Sequence, residues 1–130
     1  MSKDIFSKMK VIYTAFDEFS FKKYGFKNEN DPKVSFVVDT SVNQDETLYK
    51  VTVIAKVAKE SEYDLQVSIS GVFEFDNDIS SDVRDELLKK NAVAILMPYV
   101  RSQVSILTAQ PDTESVALPI FNIENMMSED

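Results

Sequence analysis

The sequence contains no cysteine, no histidine and no tryptophan, and only two glycines, Gly25 and Gly71. Without thiols there is no disulfide staple and no thiolate nucleophile. Without imidazole as well, zinc sites of the usual ligand types lose their donors. A phosphate-cradling loop needs several closely spaced glycines, and none are grouped here. An enzyme would have to work from carboxylates alone, so the composition argues against catalysis and against a metal or other cofactor. Long apolar runs are missing too, since no window approaches the ~20 unbroken apolar residues of a membrane-spanning helix. Lys3, Asp4, Lys8 and Lys10 interrupt the N-terminal stretch where a signal peptide would carry its apolar core. A cytoplasmic chain with no membrane insertion is expected.

What is present is acid. The 130 residues carry a net charge of −8, unevenly spread. Residues 1–33 hold seven lysines against five acids, and residues 34–130 hold seven basic residues against seventeen acids. Nucleic acid is a poor partner for such a surface, because its phosphates require clustered Lys and Arg. Solubility explains the charge simply, and attraction of basic partners is the sharper alternative. The acids Asp76, Asp78, Asp82, Asp85 and Glu86 lack the glycine turn of a calcium loop and read as a solvated helix start. The length is that of one domain burying about two thirds of its unfolded surface.

Three stretches alternate with the period of a half-buried strand. They are Val34 to Val42, then Thr47 to Lys59 with Tyr49, Val51, Val53, Ala55 and Val57 on one face, then Tyr63 to Phe75. Short polar turns at Asn43–Glu46 and Glu60–Glu62 join them into an antiparallel meander. Upstream, Tyr13, Phe16, Phe19, Phe21, Tyr24 and Phe26 crowd a first strand and its following loop. Phe19, Phe21, Val11, Tyr13 and Ala15 share one parity, whereas Ile12 and Phe16 fall on the other. Both faces of that strand are therefore expected to carry apolar side chains.

Residues 80–108 read as one long helical segment, opened by the potential caps Ser80, Ser81 and Asp82. Asn91 offers a stop, and Pro98 removes a backbone bond at a cost of ~3 kcal/mol in a straight helix. A bent helix or two abutting ones are expected. Ile95, Tyr99, Ser102 and Ile106 form one stripe, and Leu96, Val100, Gln103, Val104 and Leu107 an adjacent one. So wide an apolar surface needs cover on more than one side, which implies association with other chains. The expected architecture is α+β: a four-stranded antiparallel sheet with a long, proline-kinked helix on one face and a short C-terminal helix. A single domain spans residues 1–130, with a lead at 1–9, the sheet at 10–76, the helix at 80–108 and an arm with its helix at 116–127.

This order of parts resembles the SecB family of export chaperones. Ile95-Leu96-Met97-Pro98-Tyr99-Val100-Arg101 is similar to the family's Leu-x-Pro-Tyr-x-Arg helix signature. The aromatic first strand, the meander and Gly71-Val72-Phe73 ahead of the helix also match, so the likeness runs from Val11 to Met127. Leu118-Pro119-Ile120-Phe121-Asn122-Ile123 stands where the family has Leu-x-Pro-x-Asn-Phe, with altered spacing. The resemblance implies a non-enzymatic, ATP-independent holdase for unfolded or signal-bearing polypeptides. It implies a dimer of dimers with the long helices sandwiched between two sheets. In export members, acids on the first and fourth strands engage the zinc-bearing tail of the translocase motor SecA. The aligned positions here are Glu18, Lys22 and Gln66, and only Glu18 remains acidic.

Client binding is therefore expected at Phe19, Phe21, Tyr24 and Phe26, because one sheet and one helix offer too little interior for every aromatic ring. An oligomer interface is expected at Ile95, Leu96, Tyr99, Val100, Val104 and Leu107. A SecA contact is expected at Glu18 alone, which argues against that partnership. Two alternatives stand beside general export. One is a SecB-like chaperone dedicated to a single partner, such as the antitoxin of a toxin–antitoxin module. The other is a small-ligand-binding or enzymatic α+β domain using carboxylates.

Overall fold

A computed structural model of the chain describes residues 9–45, 47–75 and 81–118. The expected lead, most of the acid cluster before the helix, and the C-terminal helix lie outside those residues. The described chain forms β1 (Met9–Lys23), β2 (Lys33–Val42), β3 (Leu48–Lys59), β4 (Tyr63–Phe75) and one helix, α1 (Ser81–Thr108). The strands make a single antiparallel sheet in the order β1-β4-β3-β2.

The alternation in β3 and β4 settles which face is buried. Tyr49, Val51, Val53, Ala55 and Val57 on β3 point to the same side as Leu65, Val67, Ile69 and Phe73 on β4, and all are buried. Leu88, Ala92, Val93, Leu96, Val100 and Val104 of α1 complete the same core. Each such aliphatic side chain contributes ~1.5–3 kcal/mol on leaving water. Gly71 lets helix and sheet approach, since a β-carbon there would stand 2.7 Å from the Phe73 ring and 3.3 Å from Leu96 Cδ2.

α1 runs unbroken through both Asn91 and Pro98, one helix rather than two abutting ones. Pro98 and Ala94 both lie on the exposed side. The Ala94 carbonyl that loses its partner to proline is thus open to water, which limits the penalty. At the far end the Thr108 hydroxyl donates to the Val104 carbonyl and accepts from the Val116 amide, both at 2.9 Å. That bond ties the helix end to the arm, whose Leu118 is buried.

β1 departs from simple alternation. Its register against β4 slips between Val11 and Tyr13 and again between Phe16 and Glu18. Each bulge inserts one residue and reverses the parity that follows. Phe16, Phe19 and Phe21 consequently sit opposite Ile69, Val67 and Leu65, on the helix-bearing face. Tyr13 sits opposite Val72, on the other face, not with Phe19 and Phe21 as simple parity places it. Both faces of β1 do carry apolar residues, as the sequence leads one to expect.

Because β1 and β2 are the two sheet edges, residues 24–32 must cross the ends of β4 and β3, a span of ~14 Å at the usual strand spacing. Glu62 holds this crossover in place. Its backbone carbonyl accepts from the Tyr24 amide at 2.8 Å and the Gly25 amide at 3.1 Å. Its carboxylate accepts from the Asn28 amide at 2.9 Å and pairs with Lys59 at 3.0 Å and Lys23 at 3.3 Å. Gly25 passes so close that a β-carbon would lie 1.9 Å from the Ser61 carbonyl oxygen. Any side chain there must displace the loop.

A candidate polypeptide-binding surface

The edge position of β1 determines what its aromatic residues do. An interior strand would have neighbours on both sides, whereas among the described residues β1 pairs with β4 alone, so side chains along it stay open. Phe16 and Phe19 meet edge to face, with ring centres 5.6 Å apart, and Phe19 is 51% exposed. The crossover loop continues the set with Tyr24, 53% exposed, and Phe26, 87% exposed. Phe21 differs: half-buried, it stacks on Tyr63 with ring centres 4.8 Å apart. Three of the four aromatic residues singled out in the sequence thus present their rings to solvent, and the fourth supports the core. The bulge at Asp17 brings Phe16 beside Phe19; a lone residue of opposite parity three positions away is its sequence trace.

The helix residues divide similarly. Leu96, Val100 and Val104 are fully buried within the single chain. These three side chains belong to the chain's own core. Ile95 and Leu107 are half-buried, Tyr99 is 48% exposed, and Ile106, on the outward stripe, is 61% exposed.

The opposite face of the sheet carries a polar cluster between β1 and β4, beside the apolar Tyr13 and Val72. Asp17, at the second bulge, accepts hydrogen bonds from the Ser68 and Ser70 hydroxyls, and Ser70 also bonds Thr52 at 2.7 Å. Gln66 Nε2 donates to Glu18 Oε1 at 3.1 Å, and Lys22 faces Asp64 across the register. The three positions aligned with SecA-contacting acids therefore do share one face. Lys22 and Gln66 also border a shallow depression with Lys56.

Charge at the crossover end is set by burial and pairing. Burial alone would raise the Glu62 pKa, but the Asn28 amide and the Lys59 and Lys23 ammonium groups outweigh it and hold the carboxyl below its ordinary range. The sequence marks Glu62 only as a turn residue; its spacing of three from Lys59 was the available sign of a pair. Among the described residues there is no group of acids placed to hold a metal ion. No described helix is long and apolar enough to cross a membrane.

An uncharacterized protein of Methanocaldococcus jannaschii is 36% identical over 111 residues, covering 77% of this chain and 70% of that protein. Among solved structures, the Mycobacterium tuberculosis SecB-like chaperone Rv1957, in complex with a ChAD peptide from the HigA1 antitoxin, superposes with a TM-score of 0.75. That match covers 93% of each chain at 9% identity, a likeness of fold. The sequence model of the preprotein translocase subunit SecB matches residues 8–129. With a match of that extent, the chain belongs to the SecB family.

Proposed function

We propose that this protein is an ATP-independent holdase chaperone that binds unfolded polypeptides along β1 and the crossover loop. The observation that carries the reading is the exposed aromatic series Phe16, Phe19, Tyr24 and Phe26 on one edge and end of an otherwise well-packed sheet. Exposed apolar surface of this kind marks an interaction site. An unpaired strand edge beside it supplies main-chain donors and acceptors that accept any sequence. Phe21 belongs to the same surface as its buried support. Membership of the SecB family and the absence of His and Cys both favour binding over catalysis. The site of action is the cytoplasm, and the clients include signal-bearing precursors.

Association accompanies this role. The outward helix residues Ile95, Tyr99 and Ile106 and the free edge of β1 require cover, which a dimer or a dimer of dimers provides. A narrower reading has one specific support: the structurally similar Rv1957 holds an antitoxin peptide. On that reading the client is a single partner such as an antitoxin. Light scattering from a chemically unfolded, aggregating precursor, with and without the protein and without nucleotide, tests the holdase. Suppression of a broad set of clients supports general holding, suppression of one antitoxin alone supports the dedicated form, and suppression of none rejects both.

A further inference from the structure

Phe26 is 87% exposed, yet the backbone around it is held from two directions. Upstream, the Gly25 amide donates to the Glu62 carbonyl at 3.1 Å. Downstream, the Lys27 amide donates to Asp112 Oδ2 at 3.1 Å, and the Asn28 amide to Glu62 Oε1 at 2.9 Å. Asp112 lies 85 residues beyond Lys27, in the turn that leaves α1. Lys23, at the end of β1, reaches the same turn. Its ammonium donates to the Asp112 carbonyl and lies 3.6 Å from Asp112 Oδ2. That ammonium is also 3.3 Å from Glu62 Oε2, so Lys23 joins the two anchors. The turn is itself braced: the Thr108 hydroxyl accepts from the Val116 amide at 2.9 Å, and Thr113 Oγ1 donates to the Pro111 carbonyl at 3.2 Å. Asp112 adopts a φ of 55°, a left-handed conformation that Asp, Asn and Gly tolerate far better than other residues.

These bonds secure little packing. A ring so exposed buries little apolar area, and an exposed pair such as Lys23–Asp112 adds little to stability. What they fix is the direction in which the Phe26 side chain leaves the loop. A side chain held in place before a partner arrives avoids the ordering cost it would otherwise incur on association. Glu62 anchors Tyr24, Gly25 and Asn28 but leaves the Lys27 amide, next to Phe26, to Asp112.

We propose that Asp112 is a positioning residue, which latches the crossover loop to the turn after α1 and so presents the Phe26 ring to a bound polypeptide. It acts through the Lys27 amide and Lys23 and needs no contact with the polypeptide itself. Presentation to a polypeptide rests on the holdase reading above, whereas the latch does not.

Two substitutions test it. Asp112→Gly suits the left-handed turn and removes the carboxylate, whereas Asp112→Asn suits the turn and keeps an oxygen that can accept from Lys27. Hydrogen exchange of the Lys27 amide, followed by NMR on the full chain without client, reads the latch. Exchange should quicken in Asp112→Gly and stay near the parent rate in Asp112→Asn. Calorimetry with a permanently unfolded, carboxymethylated polypeptide reads the positioning. Asp112→Gly should weaken binding about two- to tenfold, the ordering cost of one side chain, at a melting temperature close to the parent's. Asp112→Asn should restore most of the affinity. In a Phe26→Ser background, Asp112→Gly should have no further effect, because the ring it positions is gone. An equal loss in that background, unchanged affinity in Asp112→Gly, or unchanged Lys27 exchange would each overturn the assignment. If the parent binds no unfolded polypeptide, the holdase reading falls and presentation with it, while Lys27 exchange still decides the latch.

Discussion

Gln66 donates a 3.1 Å hydrogen bond to Glu18 across β1 and β4, on the face turned away from the helix. The one acid among the three positions aligned with the family's SecA-engaging acids is thus partly engaged by Gln66. Lys22 adds a positive charge on the same face. Exposed ion pairs contribute only ~0.2–1 kcal/mol each, so losing one and reversing another, ~0.6–3 kcal/mol together, is expected to weaken binding by ~3-fold to ~100-fold. Calorimetry with the zinc-loaded SecA tail peptide is expected to give weak or no binding. The double change Lys22→Glu and Gln66→Glu is expected to strengthen it, and micromolar affinity of the unaltered protein would contradict this.

Glu62 makes stability depend on pH in a defined direction. Its carboxyl titrates below the ordinary 4.5 in the folded chain. The pairing therefore contributes fully above that unfolded value and is lost as pH falls through the lower, folded one. Glu62→Gln leaves Lys59 buried beside a neutral partner and should cost ~3–5 kcal/mol at neutral pH. Thermal unfolding from pH 7 down to pH 3 should show a steep acid loss in the parent and a shallower one in Glu62→Gln. Parallel curves would mean that the pair does not hold the crossover.

Association should respond differently to inward and outward helix residues. Ile106→Asp places a charge where the single chain leaves the side chain 61% exposed, so the fold should persist while the oligomer dissociates. Leu96→Ala removes a core side chain and should cost ~2–5 kcal/mol, whatever the oligomeric state. Sedimentation and circular dichroism together separate the two outcomes. An Ile106→Asp protein that sediments unchanged would place the interface elsewhere.

Much of the fold is legible in the sequence because β3 and β4 alternate without a break and bury one clean face. The edge strand β1 is harder to read, since two bulges reverse its parity and the out-of-parity Phe16 does not by itself say where a residue is inserted. The single helix is partly hidden by Pro98. The penalty expected of a proline depends on whether the stranded carbonyl reaches water, and only the packed structure shows Ala94 on the exposed side. Glu62 is least visible of all. Its burial depends on Lys23 and Asn28 arriving from more than thirty residues away to join Lys59, three residues off, an arrangement that a turn-like Glu-Ser-Glu conceals. The aromatic surface was legible as an excess: more rings than one sheet and one helix can bury. Which rings stay open follows only from β1 lying at the edge.

The most direct measurement concerns those rings. Phe19→Ser, Tyr24→Ser and Phe26→Ser, combined in one protein, change side chains that are each at least half exposed. Phe21 is left in place because its stacking on Tyr63 is structural. Light scattering from an unfolded precursor, without nucleotide, should show suppression of aggregation by the parent and severalfold weaker suppression by the triple variant at an unchanged melting temperature. Undiminished suppression by a folded triple variant would contradict the assignment of client binding to β1 and the crossover loop.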